Sequence, residues 1–295
     1  MSSNILTRFA FPGFPNRDPT PKLKYLPRAI GSGSIEYVPL ITPGAKTLVF
    51  VCHGRLRALD SRSVNQWEEL AGKEGVSVVL HNYPGYGGTI GPITEERLCQ
   101  DAVQLAESVK EEGQELVLLG NSVGCGPTMW LAVKLGIKKV VVVSPYTSLV
   151  ALAPYWVVLY LFKALSLAAP KAVVKYLSSP ERLRFLQGKA WLDPFPPLYL
   201  AKKLEKGSEV LILHGELDST VPVSHSQALV KELESVDGVK SRLCIIPDTE
   251  HKDTRVRGNA AIWSFFRGNG KELEKTMADL KKVGGATAEN KVGAD

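Results

Sequence analysis

Residues 116–132 read "LVLLGNSVGCGPTMWLA", an apolar run that halts at Gly120-Asn121-Ser122-Val123-Gly124 and resumes with a helical pattern. A strand that turns abruptly into a helix leaves little room at the corner, and glycines two positions before and two after the central residue relieve the crowding. The central serine is then lifted clear of the sheet edge. The amide that follows it opens a helix N-terminus and can donate to a developing oxyanion. On this reading Ser122 is a nucleophile; on the plainer one the motif is a Gly-Ser turn between unrelated elements. Partners elsewhere in the chain separate the two.

Short β-branched runs surround this stretch: "IEYVPLI" (35–41), "TLVFVC" (47–52), "VSVVLH" (76–81), "ELVLLG" (115–120), "KVVVVS" (139–144), "EVLILHG" (209–215) and "RLCIIP" (242–247). Helical patterns alternate with them. Leu98, Ala102, Leu105 and Val109 share one helical face, and "SVNQWEELAGKEG" supplies another amphipathic segment. Strands apolar on both faces, alternating with helices, predict a mainly parallel sheet covered by helices. The tail "KKVGGATAENKVGAD" is small and polar, and is expected to be disordered.

At 295 residues and 44% hydrophobic, the chain has the size of one large domain with an inserted subdomain. Cys52, Cys99, Cys125 and Cys244 lie far apart with no C-x-x-C pair, which suggests neither a zinc site nor a disulfide framework. Reduced thiols and a cytoplasmic location are the expectation. The first residues are broken by prolines and lack the apolar core of a secretory signal, and Ser2 stands where myristoylation requires glycine. The net charge of +6 is placed unevenly: residues 163–206 hold nine Lys/Arg against three acids, the whole excess. A hydrated surface and a face for anionic lipid or an acidic partner are the two readings. No reader motif accompanies the charge, so nucleic acid is not an expected partner.

Residues 149–170, "LVALAPYWVVLYLFKALSLAAP", form an apolar stretch about long enough to span a bilayer. A span here would separate Ser122 from every later residue, so any catalytic partner beyond it excludes spanning. A lid helix over a pocket, or one lying in a membrane interface, remains.

A serine nucleophile needs a base to take its proton and an acid to orient that base, both at strand ends. His53 and His214 sit beside strands before glycine, where packing or support of other groups is expected; His81 precedes the nucleophile, and His225 starts a helix. His251 follows "RLCIIP" and a short loop, and is the best-placed base. In "LILHGELDSTVPV" Asp218 occupies the loop after the penultimate strand, with Glu216 and Asp248 as rivals. A second oxyanion donor is expected in "FVCHGRLRALD", making the backbone amides of Arg55 and Val123 the pair. The order Ser122, Asp218, His251 is that of the α/β-hydrolase fold. "GYGGTIG" (85–91) lacks the Lys-Ser/Thr of a phosphate loop and the spacing of a dinucleotide fingerprint, and is read as the loop after the fourth strand. No metal constellation and no cofactor motif appears.

With "CHGR", "NYPGYGGTIGPITEERLCQDA", "GNSVG", "HGELDSTVPVSHS" and the His251 loop, residues 30–270 resemble a serine hydrolase of the α/β-hydrolase superfamily. Within it the chain is similar to the α/β-hydrolase-domain protein depalmitoylases. It departs from them in reading His-Gly-Arg for His-Gly-Asn, in lacking an N-terminal cysteine cluster, and in a longer apolar stretch after "SPYTSL". The resemblance implies cleavage of long-chain acyl thioesters of protein cysteines. The expected fold is α/β: an extension at 1–30, a core at 31–148 and 206–280, a helical lid at 149–205 inserted after the sixth strand, and a tail at 281–295. Tyr155, Trp156, Tyr160 and Phe162 are the lid residues expected to meet substrate, either a small ester or an acylated protein. A lipase or carboxylesterase, and a non-catalytic module that binds lipid or protein, are the alternatives; peripheral membrane contact would come through the lid and basic segment.

Overall fold

The computed structural model describes residues 5–15, 18, 20–55, 58–164, 171–177, 179 and 195–282. The chain divides into two compact units, Met1–Val140 and Val141–Asp295, with the boundary inside one strand.

In the first unit, β1 (Lys24–Pro27) runs antiparallel to β2 (Ser34–Leu40), and β2 runs antiparallel to β4 (Ser77–His81). The following pairs are parallel: β3 (Thr47–Cys52) lies between β4 and β5 (Glu115–Asn121), with Leu48 opposite Ser77 and Leu116. The strand order is β1-β2-β4-β3-β5-β6, where β6 is Lys139–Val143. β3, β4 and β5 bury nearly every side chain on both faces, which explains why they read as continuous apolar runs. In the second unit the order is β6-β7-β8, with β7 (Glu209–Gly215) parallel to β8 (Lys240–Ile246) and Ser144 N–H donating to Leu213 O at 2.8 Å. This is the α/β-hydrolase fold.

The helices begin and end where local chemistry permits. α1 is Ile5–Ala10. α2 (Ser61–Glu74) starts at an Asp60–Ser63 capping box and stops at Gly75 in the left-handed conformation. α3 (Glu95–Val109) is capped by Thr94, carries Glu95 and Glu96 in its first turn, and buries Leu98, Ala102 and Leu105. α4 (Cys125–Leu135) leaves the serine corner. The second unit adds α5 (Leu149–Ala164), α6 (Lys171–Leu177), α7 (Pro197–Ala201), α8 (Ser224–Glu234), α9 (Thr254–Arg257), α10 (Asn259–Phe266) and α11 (Gly270–Lys282). The tail expected to be disordered lies, from residue 283, outside the described residues.

Two buried polar contacts organise the first unit. Arg28 meets Asp101 of α3 through two nitrogens, Nε to Oδ1 at 2.9 Å and Nη2 to Oδ2 at 2.8 Å, with both side chains almost fully buried. Glu36 of β2 accepts from Asn82 Nδ2 and from the Gly88 amide, each at 2.6 Å, and so anchors the glycine-rich loop after β4. Gly87 sits there at φ 53°, and a Cβ would overlap the Glu36 carboxylate, so no other residue fits.

His53, half-buried, and His81, fully buried, lie among Phe50, Tyr83 and Tyr86, their ring centroids 6.4 Å apart. Burial pushes His53 down to about 4, and burial together with the charge of His53 pushes His81 down to about 3. Both are neutral in the folded chain, whereas in the unfolded chain they take protons below pH 6.5. The unfolded state then binds more protons, so stability falls as pH drops from 6.5 toward 4. The slope is up to about 1.4 kcal/mol per pH unit for each histidine. Urea midpoints measured at pH 7.5 and pH 5 should show this loss, and His81→Phe should make it shallower. Equal midpoints in the parent protein would contradict the neutral pair.

Candidate active site

The corner after β5 is as cramped as the sequence requires. Ser122 adopts φ 55°, in the left-handed region, and a short turn Ser122–Gly124 leads into α4. A Cβ at Gly120 would overlap Thr128 Oγ1 and lie 2.8 Å from Cys125 Cα; one at Gly124 would overlap the carbonyl oxygens of Cys52 and His53. α4 therefore packs directly against the end of β3. Ser122 itself is 7% exposed, and Val123, which follows it, has its amide in the first turn of the helix, where no intrahelical acceptor exists.

The candidate oxyanion loop lies beside this corner. A Cβ on Gly54 would come within 3.1 Å of Asn121 Nδ2 and 3.7 Å of Ser122 Cβ. Arg55 turns its guanidinium away, with Nε donating to Phe9 O at 2.9 Å and the charge lying 5.0 Å from the Phe9 ring centroid. Its backbone amide is the group expected to act.

In the second unit Asp218 and His251 meet. Asp218 Oδ1 accepts from the amides of Thr220 (2.9 Å) and Val221 (2.8 Å), while Oδ2 accepts from His251 Nδ1 at 2.6 Å. The carboxylate is fully buried. Burial alone would raise its pKa, but hydrogen bonds from His214 and His251 and their positive potential outweigh it and hold Asp218 well below the usual carboxylate range. With the proton fixed on His251 Nδ1, Nε2 is the basic nitrogen. The rivals are elsewhere: Glu216 and Asp248 are exposed, and Glu216 Oε2 accepts from the Asp248 amide at 3.3 Å.

His214 has a larger role than sequence position indicated. It is wholly buried, with Nε2 2.8 Å from Val221 O and 3.3 Å from Asp218 Oδ2, and Nδ1 2.6 Å from Ser226 Oγ. Donation from Nε2 to Val221 O leaves Nδ1 to accept from the Ser226 hydroxyl, so Ser226 sets the tautomer that faces the acid. Its only sequence signal was a histidine four residues before Asp218. His225 is buried too, with Nδ1 accepting from the Thr147 amide at 3.1 Å.

Among the expected lid residues, Tyr155 and Trp156 of α5 are buried and serve the acid loop: Tyr155 Oη donates to Ser219 O at 3.0 Å and Trp156 Nε1 to Thr220 O at 2.7 Å. Tyr160 and Phe162 lie on the same helix, but their side chains fall outside the described residues. A cavity of about 580 Å³ in the first unit, lined by Ile30, Cys99, Val103, Trp130 and Lys134 among others, includes none of the candidate catalytic residues. Among the described residues no group of three or more His, Cys, Asp or Glu is placed to hold a metal ion, and no helix is long and apolar enough to cross a membrane.

The profile of the prolyl oligopeptidase family matches residues 144–272. The uncharacterized protein Rv2307c of Mycobacterium tuberculosis is 26% identical over 238 residues, covering 78% of this chain and 72% of that protein. Human alpha/beta hydrolase domain-containing protein 17B is 24% identical over 199 residues, or 65% of this chain and 57% of its own length. Among solved structures, the Pyrococcus furiosus esterase Pf2001 matches with a TM-score of 0.62 at 17% identity, over 90% of this chain and 99% of that one. The match to this esterase shows the fold, which is that of the α/β-hydrolases.

The corner makes its own prediction. Gly124→Ala forces a methyl group onto two backbone carbonyls that have nowhere to move, and should cost about 1–3 kcal/mol or more, as overpacking does elsewhere. A fall in the urea midpoint checks it, and a midpoint equal to that of the parent protein would refute the crowding argument.

Proposed function

We propose that Ser122 attacks the carbonyl of an acyl ester or thioester, with His251 as general base and then general acid, and Asp218 orienting the imidazole. The amides of Arg55 and Val123 hold the oxyanion of each tetrahedral intermediate. Attack forms the Ser122 acyl ester and releases the alcohol or thiol, protonated by His251; water, deprotonated by His251, then frees the acid. The observation that carries this reading is the 2.6 Å bond from His251 to a buried, ionised Asp218. It gives the imidazole one tautomer and a fixed negative neighbour, which stabilises the imidazolium formed in each step.

The finer reading is a palmitoyl-protein thioesterase-like activity. It rests on the resemblance of the motifs and on the apolar character of α5. A lipase or carboxylesterase acting on a small lipid ester is the alternative, and a series of esters and thioesters of increasing acyl length discriminates between them. Buried free thiols at all four cysteines support a reducing, cytoplasmic location.

Ser122→Ala should keep its fold and lose activity by up to about 10⁶-fold, and with it labelling by a fluorophosphonate. Asp218→Asn should slow turnover by roughly 10⁴-fold by favouring the wrong tautomer. Retained turnover in a clean Ser122→Ala preparation, or failure of the parent protein to label, would leave only the non-catalytic module.

Peripheral membrane contact belongs to the same reading. Val157 and Leu161 on α5 and Val173 and Tyr176 on α6 are exposed, the two helices pack together, and Lys175 is exposed on α6. An apolar face within a basic segment suits an anionic lipid surface. Co-sedimentation with vesicles should rise with their anionic lipid content and weaken with salt. Binding indifferent to both, or none, would leave these helices a purely structural covering.

A further inference from the structure

The Arg55 amide, if it is to bind an oxyanion, belongs to a loop beyond the end of β3, where no strand ladder holds the backbone. Three consecutive carbonyls of that loop nevertheless each have a side-chain donor. Tyr83 Oη donates to His53 O at 2.9 Å, His53 Nδ1 donates to Gly54 O at 2.7 Å, and Tyr86 Oη donates to Arg55 O at 2.6 Å. A trans peptide is planar, so its carbonyl and its N–H point in opposite directions. Gly54 O and the Arg55 N–H belong to one such plane. Fixing the oxygen therefore aims the hydrogen, and the two tyrosines fix the planes on either side.

The tyrosines are themselves immobilised. Tyr83 and Tyr86 are 2% and 0% exposed. Tyr83 lies 4.1 Å from the His53 ring centroid and edge-on to Phe11 at 5.0 Å. The backbone of Phe14 brackets Tyr86, donating to Gly85 O at 3.0 Å and accepting from Gly87 N at 2.7 Å. Residues 9–14, expected to be an extension outside the core, thus wedge the tyrosines from one side and hold the Arg55 guanidinium through Phe9 O. Arginine at this position gives the N-terminal segment its grip on the loop.

We propose that Tyr83 and Tyr86, braced by residues 9–14, are positioning residues that aim the Arg55 amide at the oxyanion. The proposal rests on the serine-hydrolase reading above. Neither hydroxyl touches substrate in this scheme, so their loss should act on the transition state and not on ground-state binding.

The test uses the full chain, with concentrations corrected by fluorophosphonate titration of Ser122 so that unfolded protein does not count. Tyr86→Phe and Tyr83→Phe keep the rings and remove one donor each. Each should lower kcat on an activated ester by roughly 10-fold to 100-fold, the range for a misaligned oxyanion donor, with KM within about twofold. The affinity of a trifluoromethyl ketone, which forms a tetrahedral adduct with serine, should fall by a similar factor, and that of the unreactive parent alcohol should not. The double variant should cost little more than either single one, since both act on one peptide. A drop in thermal stability with unchanged kcat per titrated site and unchanged ketone affinity would overturn the proposal and leave the hydrolase reading intact. A parent protein that neither labels nor turns over would overturn both.

Discussion

The reacting end of the first unit depends on how little space the chain leaves between the end of β5 and the start of α4. Glycine at 120 lets the end of β5 lie against Cys125 and Thr128 of α4, and glycine at 124 lets the start of α4 settle against the carbonyls of Cys52 and His53 at the end of β3. The corner that results holds Ser122 at φ 55°, a conformation that costs a residue with a Cβ on the order of 1–3 kcal/mol. That strain persists because β5 is buried on both faces and registered with β3 from Thr47↔Glu115 to Cys52↔Gly120. The ladder ends where the corner begins. The loop that must lie beside the serine is consequently the direct continuation of β3, and its position follows from the register of the sheet.

The second unit solves a different problem, which is keeping a carboxylate charged without water. Asp218 is fully buried, and burial by itself would neutralise it. Two backbone amides on Oδ1 and two imidazoles near Oδ2 supply the stabilisation that water would have given. His214 is bound to Ser226 and to Val221 O, so its contribution does not change with what His251 is doing. A carboxylate held in this way keeps its charge and acts on His251 by orientation and by charge. Tyr155 and Trp156 reach down from α5 to the two carbonyls that follow Asp218, which keeps the loop in the shape that presents those amides.

Which of these features the sequence discloses depends on the range of the interaction behind them. The buried strands were legible because each is a continuous apolar run, and the corner because crowding demands glycine at fixed offsets from one serine. Asp218 and His251 were legible because strand ends order them along the chain. β1 was not, since its four residues are mostly exposed, end in proline and carry no alternation. The tyrosine pins and the tie from α5 were not legible either. Tyr83 holds a carbonyl 30 residues away, and Tyr155 one 64 residues away, and neither partner is a side chain whose type could give the contact away. A backbone acceptor has no signature in a sequence. Ser226, which sets the His214 tautomer, was hidden inside an ordinary amphipathic helix.

The same distinction separates reaction class from substrate. The Ser122 corner and the register that leads into the loop at 53–55 are set by backbone geometry, and backbone geometry survives extensive exchange of side chains. That is why a structure at only 17% identity keeps the fold. Acyl-chain preference is set by apolar side chains, where one methylene changes discrimination by about 1–3 kcal/mol. On α5 and α6 the exposed apolar side chains Val157, Leu161 and Val173 take no part in those backbone contacts. Tyr155 and Trp156 are not among them, because each spends its polar atom on the acid loop. One face of α5 is thereby committed to the loop that carries Asp218.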